Sequence, residues 1–167
     1  MAVRTYKDLD IWKKGIEIVS LVYEVTEGFP KEEIYGVSAQ MRRSAVSVPS
    51  NIAEGFARQH NREYKQFLYI ALGSCAELET QMIVSFNRKY VVKRDYENLL
   101  ELIDHESRML MNMIKSIDRS LKSYTLRTTI NEQRVYVVQG VITPLPSLHQ
   151  GSAKQPFWGG GRLHNKN

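Results

Sequence analysis

Cysteine is nearly missing from this chain of 167 residues, Cys75 being the single one. One cysteine excludes an intramolecular disulfide framework and fits a reducing compartment, so the cytoplasm is the expected location. Histidine is scarce too, with four residues. A metal site in a helical bundle calls for inward carboxylates and histidines, typically paired Glu-x-x-His motifs on two helices, and the chain has none. Glu101 and His105 are four apart, but a lone histidine between Asp104 and Glu106 reads as solvated surface. None of His60, His105, His149 and His164 follows an arginine at the four-to-six-residue spacing of one class of helical nuclease. Met1 to Asp10 is polar rather than charged-then-apolar, and no apolar run approaches the roughly 20 residues that cross a bilayer. No membrane partner is expected.

The nucleophiles that are present lack a setting. Cys75 falls at an apolar position with no histidine or basic neighbour in sequence, which reads as a buried structural thiol. Ser44, Ser47 and Ser50 lack a nucleophile elbow, and no phosphate-cradling helix follows Gly159-Gly160-Gly161. The expectation is a chain without catalytic residues, cofactor or metal, and not an enzyme. No internal repeat is visible.

Net charge is +5, but its distribution matters more than its sum. Up to Thr125 there are 18 basic and 17 acidic residues; after it, 5 basic and 1 acidic. The basic excess lies mostly in the tail, so only local clusters can argue for a nucleic-acid partner.

What is abundant is helical periodicity. Leu9, Trp12, Ile16, Val19 and Tyr23 recur at helical spacing after Thr5 and Asp8, which resemble a capping box, and Gly28-Phe29-Pro30 supplies a stop. A second helix begins between Ile34 and Ser38 and ends near Arg58, with Met41, Ala45, Val48, Ile52 and Phe56 on one face. It runs through Pro49. Proline leaves the Ala45 carbonyl without its usual donor, so a kink is expected, with Ser50 and Asn51 as rescuers. Ala39, Val46, Ala53 and Ala57 form a flanking seam of small residues that another helix could approach closely.

With Asn61 as its expected N-cap, a third helix carries Tyr64, Phe67, Leu68, Ala71, Cys75, Leu78, Met82 and Phe86, with Tyr69, Ala76 and Ile83 as a second seam. A turn between Asn87 and Arg94 leads to a fourth, marked by Leu99, Ile103, Leu110, Met113, Ile117 and Leu121. Short turns between four helices predict an all-α, up-down-up-down four-helix bundle over residues 5–125. From 126 to 167 the chain is expected to be a flexible, mostly irregular extension, with a short hairpin of Val135–Val138 and Val141-Ile142 as the alternative.

Several stretches together resemble one bacterial family: Tyr6–Trp12, Phe29–Gly36, Gln40–Arg43, the proline stretch Ser44–Gly55, and Ala71–Gln81. The chain resembles the small four-helix-bundle proteins first met as open reading frames inside intervening sequences of 23S ribosomal RNA genes. The resemblance implies a cyclic homo-oligomer, a pentamer with a central channel, and a surface suited to structured RNA or DNA. It also extends to the accessory bundle of diversity-generating retroelements, which implies a reverse transcriptase as an alternative partner. A protein-only scaffold ring is the third reading.

The basic residues that could meet phosphates are Arg42 with Arg43, then Arg58, Arg62 and Lys65 around the second turn, and Arg88, Lys89, Lys93 and Arg94 around the third, with Tyr64 and Tyr90 as stacking surfaces. The competing reading is solvated or subunit-pairing charge, because Glu54, Glu63 and Asp95 dilute each group. Pro49, Asn51 and Glu54 look like a motif whose role is structural, at the kink or a subunit contact.

Overall fold

A computed structural model of the chain describes residues 4–58 and 60–138, with side chains up to Ser123. Four helices carry it: α1 Asp10–Glu27, α2 Val37–Phe56, α3 Asn61–Asn87 and α4 Lys93–Val138, with no strand among the described residues. They form the all-α, up-down-up-down bundle. The chain divides into two units, Met1–Thr128 and Thr129–Asn167, and the packing described here belongs to the first.

The core joins all four helices. Ile18 and Val22 of α1, Met41, Val48 and Ile52 of α2, Leu68, Leu78 and Met82 of α3, and Leu99, Ile103 and Leu110 of α4 are buried in one cluster. Each such aliphatic side chain contributes about 1.5–3 kcal/mol when fully buried. The stripe expected on α2 holds, with Met41, Ala45, Val48 and Ile52 all buried. On α1 the expected stripe is turned: Ile11, Gly15, Ile18, Val22 and Thr26 are buried, whereas Ile16 and Tyr23 are exposed. That helix offers two apolar stripes, and packing selects the one with a glycine in its middle.

The selection follows from the proline in α2. A Cβ on Gly15 would stand 3.3 Å from both Cβ and Cδ of Pro49, so the bare backbone of α1 is what the buried proline ring lies against. The expected rescue of the helix differs in detail. Ser50 donates to the Val46 carbonyl at 2.8 Å, and Asn51 Nδ2 to the Ser47 carbonyl at 2.8 Å, neither of them to Ala45. Both side chains reach back one full turn, so their acceptors lie C-terminal to the orphaned carbonyl. Asn51 Nδ2 also reaches Ser47 Oγ at 3.0 Å, which accepts from Ser74 Oγ of α3 at 2.8 Å. The face opposite the apolar stripe of α2 is thus partly a polar seam with α3.

Helix ends were less legible than helix spans. The Asp8 carboxylate accepts the Arg4 and Thr5 backbone N–H groups, but it closes a 3-10 turn at Tyr6–Asp8, and α1 starts after it. These two donors hold the Asp8 carboxyl below the usual carboxylate range. His60, not Asn61, is the N-cap of α3. The expected end of the bundle at Thr125 is not a break in secondary structure, since α4 runs to Val138. No glycine or proline occurs between Leu126 and Val138, and each added residue of an existing helix gains a hydrogen bond without a new nucleus. Val135–Val138 are therefore helical rather than strand, while Val141-Ile142 and the rest of the expected flexible extension lie outside the described residues.

One expectation needs correcting for α3. It is long and apolar enough, by length and composition alone, to cross a membrane. The cause is its double seam: Leu68, Ala71, Cys75, Leu78 and Met82 face the core, and Tyr69, Ala76 and Ile83 face outward.

Candidate nucleic-acid interface

Up-down topology places α1's C-terminus, α2's N-terminus and the α3–α4 turn at one end of the bundle. Contacts across that end confirm it: Arg42 Nε donates to Thr26 Oγ1 at 2.8 Å, and Tyr90 OH donates to Glu33 Oε1 at 3.2 Å. The nine candidate cations consequently fall into two groups. Arg42, Arg43, Arg88, Lys89, Lys93 and Arg94 belong to this first end, where Lys93 pairs with Glu97 at 3.5 Å and Arg94 with Asp95 at 2.9 Å. Arg58, Arg62 and Lys65 belong to the opposite one, about 20 Å away at 1.5 Å of rise per residue.

The two ends differ in how free their cations are. At the far end Arg58 pairs with Glu54 and lies over the Phe67 ring at 5.0 Å, and Lys65 pairs with Asp118 at 2.7 Å. Only Arg62 has no ion pair there among the described residues. Glu54 thus serves Arg58, and with Pro49 and Asn51 it accounts for that sequence motif structurally. At the first end Arg42 is engaged, stacked over the Tyr23 ring at 4.8 Å and bonded to Thr26. Arg43, Arg88 and Lys89 have no ion pair among the described residues, and Arg88 Nε donates to Tyr90 OH at 3.4 Å.

Arg88 and Lys89 are set by the end of α3. Lys89 N–H donates to Phe86 O at 2.9 Å and Tyr90 N–H to Ser85 O at 3.0 Å, the paired bonds of a Schellman turn. That turn requires a left-handed residue, and Lys89 supplies it with φ 62°. Glycine would adopt this conformation at less cost. Glu33, whose charge acts on Arg88, is already occupied, with Oε2 accepting the Val37 N–H at 3.0 Å and Oε1 accepting from Tyr90. It caps α2 and fixes Tyr90, whose ring Arg88 approaches at 5.8 Å.

The aromatic residues named from sequence are not the available ones. Tyr64 is half-buried against Phe56, and its hydroxyl is buried without a partner among the described residues. Burial also pushes its ionisation upward. Tyr90 packs on Phe29 with ring centroids 5.7 Å apart. The most exposed ring among the described residues is Tyr35, 93% exposed just before α2, at the same end as Arg43, Arg88 and Lys89. It sits in a connector without periodicity, so only its place beside Gly36 pointed to a turn.

The second seam expected on α3, Tyr69, Ala76 and Ile83, is exposed, and Gly73 and Val84 extend that outer face. A Cβ on Gly73 would meet nothing within 4 Å. Glu106, fully buried on α4, was not singled out from sequence. Its signal was a gap: Leu99, Ile103, Leu110, Met113 and Ile117 form an apolar stripe in steps of three, four or seven, and the missing member is position 106.

For catalysis the described residues bring little together. No group of three or more His, Cys, Asp or Glu among them could hold a metal ion. Cys75 is buried, and burial, reinforced by the Glu106 carboxylate, pushes its thiol up to about 12. Exposed His105 joins Glu101 and Arg108 along an open surface groove.

The match to known proteins covers most of the bundle. The model of a family described as 23S rRNA-intervening sequence protein matches residues 7–112. A solved structure from Bacteroides thetaiotaomicron, a protein with unknown function from the S23 ribosomal protein family, is similar with a TM-score of 0.59 at 22% identity. The alignment covers 63% of this chain and 98% of that one, and at this identity it speaks for the fold. No curated protein matches the chain.

Proposed function

Because the chain belongs to the 23S rRNA-intervening sequence protein family, we propose that it is a non-catalytic, self-associating bundle that docks on structured RNA through the end bearing Arg43, Arg88 and Lys89. The observation that carries this reading is the grouping of three unpaired cations with one fully presented ring, Tyr35. Cations neutralise phosphates and release counterions, while an exposed ring stacks on an unpaired base of a loop or bulge. Lys89 strengthens the reading. A lysine held in a conformation that favours glycine is a backbone cost that a cation directed at a partner would explain.

Self-association rests on the outer face of α3. Tyr69, Ile83 and Val84 are exposed and stand outside the core cluster of the described residues, and Gly73 leaves room for another helix to approach. A homo-oligomer, a pentamer in the expected form, covers that face.

The test is fluorescence anisotropy of an RNA hairpin across a salt series, with the full chain and an Arg43→Gln, Arg88→Gln, Lys89→Gln triple variant. Each lost phosphate contact lowers the logarithmic salt slope by about 0.7–0.9. A slope smaller by about two in the variant supports the reading. An unchanged slope moves the contact elsewhere, and absence of binding by the unaltered chain leaves the protein scaffold, or an adaptor of a reverse transcriptase, as the better account.

A further inference from the structure

Among the described residues one carboxylic acid, Glu106, is buried in the core. Glu106 is 0% exposed, and neither Oε1 nor Oε2 has a hydrogen-bond partner among the described residues. It occupies the apolar seam of α4 between Ile103 and Leu110, both buried. A neutral carboxyl can be held there, but a carboxylate in such a place lacks the donors that replace water.

The groups facing Glu106 do not relieve it. From α1, the Lys14 ammonium acts on it attractively, yet Lys14 Nζ lies 2.6 Å from Glu17 Oε2 and serves that surface pair. From α3, Cys75 faces it with a thiol pushed up to about 12, which stays neutral over the ordinary pH range; Ser107 of α4 hydrogen-bonds to that thiol, and Glu79 acts on it more weakly. No charge of α2 acts on Glu106 among the described residues.

We propose that Glu106 is a proton-operated latch on α4: protonated, it lets the helix seat against α1 and α3, and ionised, it loosens that seating and opens the core at Cys75. Burial carries the Glu106 carboxyl from its ordinary 4.5 to about 8, with Lys14 acting in the opposite direction. The folded chain therefore holds one more proton than the unfolded chain between those values. The stabilising effect is full below about 4.5, declines as pH rises through the window, and is lost above about 8. Over that window the folding equilibrium constant falls by up to about tenfold per pH unit.

Cys75 is a built-in reporter, because α4 covers it. The experiment follows the rate at which an aromatic disulfide reagent labels Cys75 in the full chain, in the unaltered protein and in Glu106→Gln and Glu106→Leu, between pH 6 and 9. Dividing one rate by the other at each pH removes the reagent's pH dependence, and the Glu106 carboxylate's own upward push on the Cys75 thiol slows the unaltered chain, so it cannot imitate the expected climb. The expected result is a ratio of unaltered to variant rate that climbs at least tenfold across the range. A ratio that stays constant overturns the latch. If neither variant folds, the side-chain carboxyl carbon of Glu106, followed by NMR in the unaltered protein, decides: a transition near pH 8 supports it, and one near 4.5 overturns it.

Discussion

At the scale of single residues, three glycines and one lysine show how the same backbone question has opposite answers. A Cβ on Gly55 would lie 2.7 Å from Phe67 Cβ and 2.8 Å from Tyr64 Cδ2, contacts too short for any real side chain. Phe67 Cβ cannot swing aside as a side-chain tip can. Gly55→Ala is therefore expected to force α2 from α3 and cost about 1–3 kcal/mol, measured by urea denaturation. Gly15 is tighter than ordinary contact without being impossible, and the rigid Pro49 ring makes it intolerant as well. Gly73 is the reverse, with open space in the chain. Its replacement by alanine should raise helix stability by about 0.5–1 kcal/mol in the isolated chain. Lys89→Gly should likewise stabilise the turn after α3, by up to about 1 kcal/mol, while weakening any RNA binding at that end. Gain of stability with loss of binding in one variant is an outcome that a purely structural lysine does not produce.

At the scale of elements, α2 shows what periodicity can and cannot reveal. Its apolar face was legible because Met41, Ala45, Val48 and Ile52 stay in phase across Pro49 and meet a core on one side only. The α1 stripe was misread because two faces of that helix are apolar, and the choice between them depends on Pro49, a residue of another helix. Helix ends depend on single hydrogen bonds and so fell a few residues from their expected places. The free cations could not be separated from the paired ones, since Lys65 meets Asp118 across a separation of 53 residues. Tyr35 and Glu106 needed the fold as well, the one for its exposure and the other for its burial. The polar seam between α2 and α3 also lies beyond one-dimensional reading. Asn51→Ala removes two bonds, to Ser47 O and Ser47 Oγ, and leaves the Ser47–Ser74 pair without its third member. A loss of about 1–2 kcal/mol is expected by urea denaturation, with the helix content of the folded state unchanged by circular dichroism.

At the scale of the whole molecule, the described residues of the bundle show an apolar flank on α3 and two unlike ends, and the three can be separated experimentally. The flank is an α-helical face whose exposed residues, Tyr69, Ile83 and Val84, stand opposite the buried stripe of the same helix. An isolated chain gains nothing from keeping that face apolar, whereas a second copy would bury it at a favourable free energy of roughly 25 cal/mol per Å². Ile83→Glu places a carboxylate there without touching the core. Light scattering should find the unaltered chain as a homo-oligomer and this variant as a smaller species, with helix content retained. A variant of unchanged mass would show that the copies meet elsewhere. The ends supply the complementary control. Replacing Arg58 and Lys65 with glutamine breaks the pairs with Glu54 and Asp118, and pairs this exposed contribute about 0–1 kcal/mol each. That double variant should lose a little stability and leave the salt slope of RNA binding unaltered, because its cations are already neutralised by the protein itself. If instead it lowers the slope as much as the Arg43, Arg88 and Lys89 triple variant does, the RNA contact spans both ends, and the interface is the long side of the bundle rather than its tip.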